Sequence, residues 1–466
     1  MQDERQVEAM EISARPPTPQ AATPATRPAI SGGTGGAAPV ATSGLSGLAR
    51  GGVPLWLPLP FLLTGVLGAA TFGVLLPFVV PQALRAPQYP HVLALVHTAT
   101  LGWLTMTIMG ASLQLAPVIL VSPLRAVRFG RVQYPLYVSG VLLLVAGFWT
   151  AQVPLLIAGG CIVVVAVGHY ATILGTTLAR ASTRPLSARY LAASLSYLCV
   201  VVSLGLTAAL NFQFGFLGSQ VNRLLLAHIT IGVVGWLTCT LMGVSYTLVR
   251  MFGLVHNHHD TLGRRNFWLL NAGILGLAVG FALDWTPLQA VAGLGLSAAV
   301  WLFAYDSWRM LRGRMRKTLD ITQRHGIVAV AYLAVVIPVG VVVALTGAGS
   351  PPVLVALALA ALVGWLGQSM LGYLYKIVPF LIWQARYGAL VGRQPVPLMR
   401  DLVHQRVAVL SFWLLNGALP ITLACAVLDW TLPLQIAASV LGASLVLVAA
   451  NVWGVAAPRS VPPRPA

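Results

Sequence analysis

The sequence predicts an all-α integral membrane protein of twelve transmembrane helices in three pseudo-symmetric four-helix arcs. Three observations lead there. Of the 466 residues, 58% are hydrophobic and only 8% charged, far from the roughly one quarter charged of an ordinary soluble domain. The apolar residues come in runs of about 18 or more, long enough at ~1.5 Å per residue to cross a ~30 Å hydrocarbon core. One four-helix pattern also recurs along the chain.

The spans are expected at roughly 53–80, 91–121, 132–151, 153–179, 190–210, 224–249, 266–284, 287–305, 326–347, 353–380, 407–427 and 433–455. The formal charge of +18 does not point to nucleic acid, because of where it sits. Arg125, Arg128 and Arg131 follow span two, Arg180, Arg184 and Arg189 follow span four, and Arg250, Arg264 and Arg265 follow span six. Arg309, Arg312, Arg314, Arg316, Lys317 and Arg324 follow span eight, and Arg386, Arg393, Arg400 and Arg406 follow span ten. The other loops hold little beyond Arg85 and Arg223. This asymmetry places both termini in the cytoplasm; the expected location is the plasma (inner) membrane of a prokaryotic cell. The lipid bilayer is its first partner.

Residues 1–50, rich in Pro, Ala, Thr and Gly and without a continuous apolar stretch, read as a disordered cytoplasmic tail, not a signal peptide. Residues 457–466 read as a second tail, leaving 51–456 as the membrane domain. Cys161, Cys199, Cys239 and Cys425 all fall inside spans with no C-x-x-C pair, and read as inert buried thiols.

The repeat is carried by span two (Gly102, Trp103, Gly110, Pro117), span six (Gly235, Trp236, Gly243, Arg250) and span ten (Gly364, Trp365, Gly372, Pro379). The tryptophans stand 133 and 129 residues apart, four helices each time. "FWLLNAGILGLAVGFALDWT" at 267–286 also matches "FWLLNGALPITLACAVLDWT" at 412–431, with "FWT" at 148–150 as a trace in the first unit. The units are about 53–179, 190–305 and 326–455. Residues seven apart lie nearly on one helix face, so each Trp–Gly stripe reads as a packing surface.

His97 lies six residues before Trp103, and His228 lies eight before Trp236. At ~100° per residue their directions differ by about 160°, so they leave corresponding helices toward opposite sides. Both sit one to two turns in from the outer face. A histidine at that depth binds something or is satisfied by a carbonyl or hydroxyl, and imidazole is a common axial ligand of heme iron.

"HTATLGWLTMTIMGASLQLAP", residues 97–117, resembles the ligand-bearing helices of the heme-copper oxidases and nitric oxide reductases, whose subunit I has twelve helices in three arcs. The resemblance covers residues ~53–455, with its sharp motifs in spans two, six and ten. It implies that His97 ligates a heme b between spans two and ten, with Trp103 beside it, and that His228 stands at the copper position. The other ligand positions are empty. Leu357 and Leu359 occupy those on span ten, and span seven has no histidine. Copper is therefore not expected, nor a working oxygen reductase, which needs a five-coordinate heme opposite a three-histidine copper. What the resemblance leaves is a heme protein in electron transfer or in nitric oxide or oxygen handling, with a second membrane or cytochrome subunit as a candidate partner. The alternative is a cofactor-free transporter or respiratory-complex accessory protein on the same scaffold.

Other polar residues carry less. His169 reads as a satisfied core histidine, Lys376 as a side chain snorkelling to the interface, and "HNHHD" at 256–260 as a solvated loop. His91, His325 and His404 mark span ends, as do Asp284, Asp306, Asp401 and Asp429.

Overall fold

The computed structural model describes residues 53–256, 258–315 and 318–457, which form an all-helical, multi-span membrane protein. The tail expected at 1–50 lies outside the described residues, as does the second tail beyond Ala457. The long helices are α1 (Leu59–Ala83), α2 (Pro90–Leu120), α3 (Gly130–Trp149), α4 (Val153–Ala179), α5 (Leu186–Phe214), α6 (Gly218–Gly253), α7 (Thr261–Ala282), α8 (Thr286–Arg312), α9 (Ile321–Thr346), α10 (Pro351–Leu390), α11 (Gln405–Val427) and α12 (Thr431–Ala456). Eleven are long and apolar enough to cross a membrane. α7 has the length but carries Arg264, Arg265, Asn266 and Asn271. α10 runs past its expected end near residue 380, because its last turns hold polar partners: Trp383 Nε1 donates to Pro397 O at 2.7 Å and Arg386 Nη1 to Ala457 O at 2.9 Å.

Each helix packs on the next around the chain, and α12 returns to α1. The return needs glycine on both sides: a Cβ on Gly73 would stand 2.9 Å from Gly442 Cα, inside any permitted contact. The links α3–α4, α7–α8 and α11–α12 are tight turns whose pivots, Ala151, Asp284 and Asp429, all have φ between 52° and 55°. In each the next N–H reaches back to close the helix end: Gln152 to Gly147 O at 2.8 Å, Trp285 to Gly280 O at 2.9 Å, Trp430 to Cys425 O at 3.0 Å. The "FWT" trace lies in the first of these turns but out of register. Trp149 stands two residues before its pivot, whereas Trp285 and Trp430 follow theirs.

α2, α6 and α10 are the inner helices. Their central windows are 67%, 61% and 67% enclosed, against at most 50% for the others. Each contains a π-helical segment, Thr98–Thr105, Thr230–Thr238 and Ala360–Gly367, ending two residues after Trp103, Trp236 and Trp365 respectively. π segments inside α-helices are rare and gather at functional places.

Candidate functional site

The three tryptophans meet where the inner helices meet. Trp236 Nε1 donates to Thr105 Oγ1 at 2.9 Å, and Trp365 Nε1 donates to Thr238 Oγ1 at 2.9 Å. In both pairs the acceptor sits two residues after the previous helix's tryptophan. The same position after Trp365 is Gly367, which has no hydroxyl, and Trp103 Nε1 is buried without a hydrogen-bond partner. Gly367 is required by space: a Cβ there would stand 2.6 Å from Trp103 Cη2. Trp103 is thus a packing residue against α10 and against Phe72 of α1, whose ring centroid is 6.0 Å away. Beyond this layer α2, α6 and α10 enclose a cavity of about 20 Å³ lined by Thr107, Ser112, Thr240, Val244, Tyr373 and Leu374, room for one water and not for a macrocycle.

His97 ends the first α-helical segment of α2, immediately before the π segment. Its Nδ1 lies 2.7 Å from Leu93 O. A carbonyl only accepts, so Nδ1 carries the proton and Nε2 keeps its lone pair, the tautomer a metal ligand needs. The ring stacks on Phe148 of α3, centroids 4.9 Å apart at 28°. His97 therefore faces α3 and not α10, where the resemblance would put it. The physical reason is the π segment, which winds less per residue than an α-helix and so turns the outer end of α2 relative to its Trp stripe.

His228 leans on α5: a Cβ on Gly205 would stand 3.1 Å from its Cε1. Its Nδ1 is buried and without a hydrogen-bond partner. His97 thus reaches α3 through Phe148, and His228 reaches α5 through Gly205. Leu144 of α3, Leu156 of α4 and Ala209 of α5 form a small buried cluster, with Leu101, Phe148 and Ile157 packed on it. Leu359 is buried on α10 and Leu357 half-buried, and neither carries a group that can ligate.

Two polar groupings escaped the sequence reading. His258, in the loop expected to be solvated, is buried, and its Nε2 lies 3.2 Å from Oδ1 of Asp306, whose side chain is 0% exposed. A bridge between Val255 and Arg314 and an Arg250–Asp260 ion pair at 2.9 Å hold that loop down; Asn257 lies outside the described residues. His325 on α9 is fully buried and bonded through Nδ1 to Gln368 Oε1; Gln368 in turn donates to Asn416 Oδ1 at 2.7 Å. A buried carboxylate is the signal that asks for a partner, but Asp306 and His258 are too far apart in sequence to name each other. Lys376 does not snorkel freely: its Nζ is 2.7 Å from Asp320 Oδ2 at the start of α9. His169 is satisfied by Val165 O at 2.9 Å on its own helix and is half-buried, not a core residue. Of the cysteines expected to be buried, Cys239 and Cys425 are, but Cys161 and Cys199 stand on outward helix faces and are exposed. Among the described residues no three His, Cys, Asp or Glu side chains converge as a metal site.

Compared with known protein families and with curated proteins, the chain matches none of them.

Proposed function

We propose that this chain is a heme-binding integral membrane protein, built as three pseudo-symmetric four-helix arcs on the plan of the heme-copper oxidases, and working in electron transfer or in nitric oxide or oxygen handling. The three π segments, the three left-handed turns and the Trp–Thr bonds around the inner helices support twelve spans in three arcs. The observation that carries the heme reading is His97, with Nδ1 tied to Leu93 O and Nε2 left with its lone pair in the outer half of the bundle.

The donor set fits. When bound, heme iron supplies one-electron exchange between its ferric and ferrous states. The protein's part is to hold and shield it. Phe148 fixes the plane of the His97 ring, the Leu93 carbonyl fixes its tautomer, and Leu101, Leu144 and Leu156 keep water from that part of the bundle. Leu357 and Leu359 leave the two matching positions on α10 without a ligand, which argues against dioxygen reduction. The Arg-rich loops favour cytoplasmic termini in a plasma membrane, and a cytochrome or membrane subunit is the expected partner.

One observation favours a second reading, a cofactor-free transporter or accessory protein: Phe148 is stacked directly on His97, filling one side of the imidazole. Heme content separates the two. Full-length protein produced with ample heme should carry about one heme per chain by pyridine hemochrome assay, and His97→Ala should lose it while still inserting. Absence of heme from the wild type would leave the cofactor-free reading standing.

A further inference from the structure

The outer side of α8 carries one row of aromatic and basic residues. Trp301, Tyr305, Trp308 and Arg312 are spaced four, three and four apart, which puts them on one helix face. Phe303, Asp306 and Met310 point the other way and are buried, whereas Trp301, Tyr305 and Trp308 are 57%, 53% and 47% exposed. An aromatic row on the outer face of a span, close to its end, belongs where hydrocarbon meets headgroups.

The row is held in place by specific contacts. Pro338 of α9 has no N–H, so the carbonyl of Ala334, four residues before it, lacks its helical donor. Trp301 Nε1 fills that place at 2.9 Å, which lays the indole across to α9. Nearer the Arg-rich end Tyr305 stacks on Trp308, centroids 5.9 Å apart at 28°. Each of these rings holds a guanidinium: Arg312 Cζ stands 4.2 Å from the Trp308 centroid, and Arg309 Cζ 6.0 Å from that of Tyr305. From the Trp301–Ala334 contact, ten residues along each antiparallel helix bring Arg324, also exposed, level with Leu311. Among the described residues no carboxylate lies within ion-pair distance of Arg309, Arg312 or Arg324, and Asp306 is turned inward to His258.

We propose that this end of α8 and α9 binds an anionic phospholipid, its phosphate held by Arg309 and Arg312 with Arg324 beside them, and an acyl chain lying along Tyr305 and Trp301. Three guanidiniums without a carboxylate partner complement a net negative headgroup, whereas a zwitterionic one would bring an ammonium toward them. The rings hold Arg309 and Arg312 in place beforehand, so less side-chain freedom is lost on binding.

Native mass spectrometry of the full-length chain, exchanged in detergent with equal amounts of phosphatidylglycerol and phosphatidylcholine, tests this. The wild type should retain phosphatidylglycerol in preference, and Arg309→Gln with Arg312→Gln should lower that preference roughly tenfold. Arg180→Gln with Arg184→Gln removes the same charge from the end of α4, where no aromatic ring holds either guanidinium among the described residues, and should lower it far less. Phosphatidylglycerol should also raise the unfolding temperature of the wild type and not that of the α8 variant, whose lipid-free stability should be unchanged because both side chains are exposed. No headgroup preference in the wild type, or an equal fall in the two variants, would overturn the site. Displacement of the retained lipid by inorganic phosphate would overturn the phospholipid as its occupant.

Discussion

At the scale of single residues, Trp103, Trp236 and Trp365 look alike in sequence and differ in what they hold. Trp236 and Trp365 each donate one buried hydrogen bond, whereas Trp103 donates none. Trp236→Phe and Trp365→Phe should each cost about 1 kcal/mol for the lost bond, beyond any packing loss, and Trp103→Phe no such increment. Thermal unfolding in detergent would check this, and equal losses in all three would contradict it. The Asp306–His258 pair makes a steeper prediction. Removing one partner strands a buried group, so His258→Ala should destabilise by about 3–5 kcal/mol, while replacing both partners with apolar residues should recover much of that. The stripe of Gly and Trp was legible because helical spacing carries it within one helix. His258 and Asp306 were not, because their pairing depends on how a loop after α6 folds onto α8.

At the scale of elements, a π segment lies between each of His97 and His228 and its tryptophan. That His97 faces α3 and His228 faces α5 was not legible from offsets counted at a uniform α-helical turn, because it depends on that winding and on which helices neighbour α2 and α6 in the ring. Deleting one residue from Thr98–Thr105 should tighten that segment toward α geometry and rotate the outer end of α2 by roughly 100°. The expected outcome is inserted, folded protein whose heme content falls to the level of His97→Ala. Retention of full heme after such a deletion would show that the segment's winding does not position the histidine. The turns at Ala151, Asp284 and Asp429 teach a related point: an identical backbone device is built here on different side chains, so sequence matching found two of them and mis-registered the third.

At the scale of the whole molecule, the multi-span helical architecture followed from composition, because ~18-residue apolar runs have few other stable forms. Orientation rests on charge. Cysteine substitutions at residues 125–131 and 309–315, in a background without the four native cysteines, should label only from the cytoplasm, and substitutions beside Asp284 and Asp429 only from outside. The turns at Asp284 and Asp429 also hold the ion pairs Arg223–Asp284 at 2.8 Å and Arg85–Asp429 at 3.7 Å, and labelling of residues 309–315 from outside would invert the orientation. The central claim is that the bundle holds a heme against His97, on the α3 side of α2. An experimental density map of the purified, heme-loaded chain tests it most directly. The account predicts a flat, iron-centred feature beside α2 with His97 Nε2 on one of its faces. Density between α2 and α10 beside Leu357 and Leu359, or side chains alone around His97 Nε2, would contradict it.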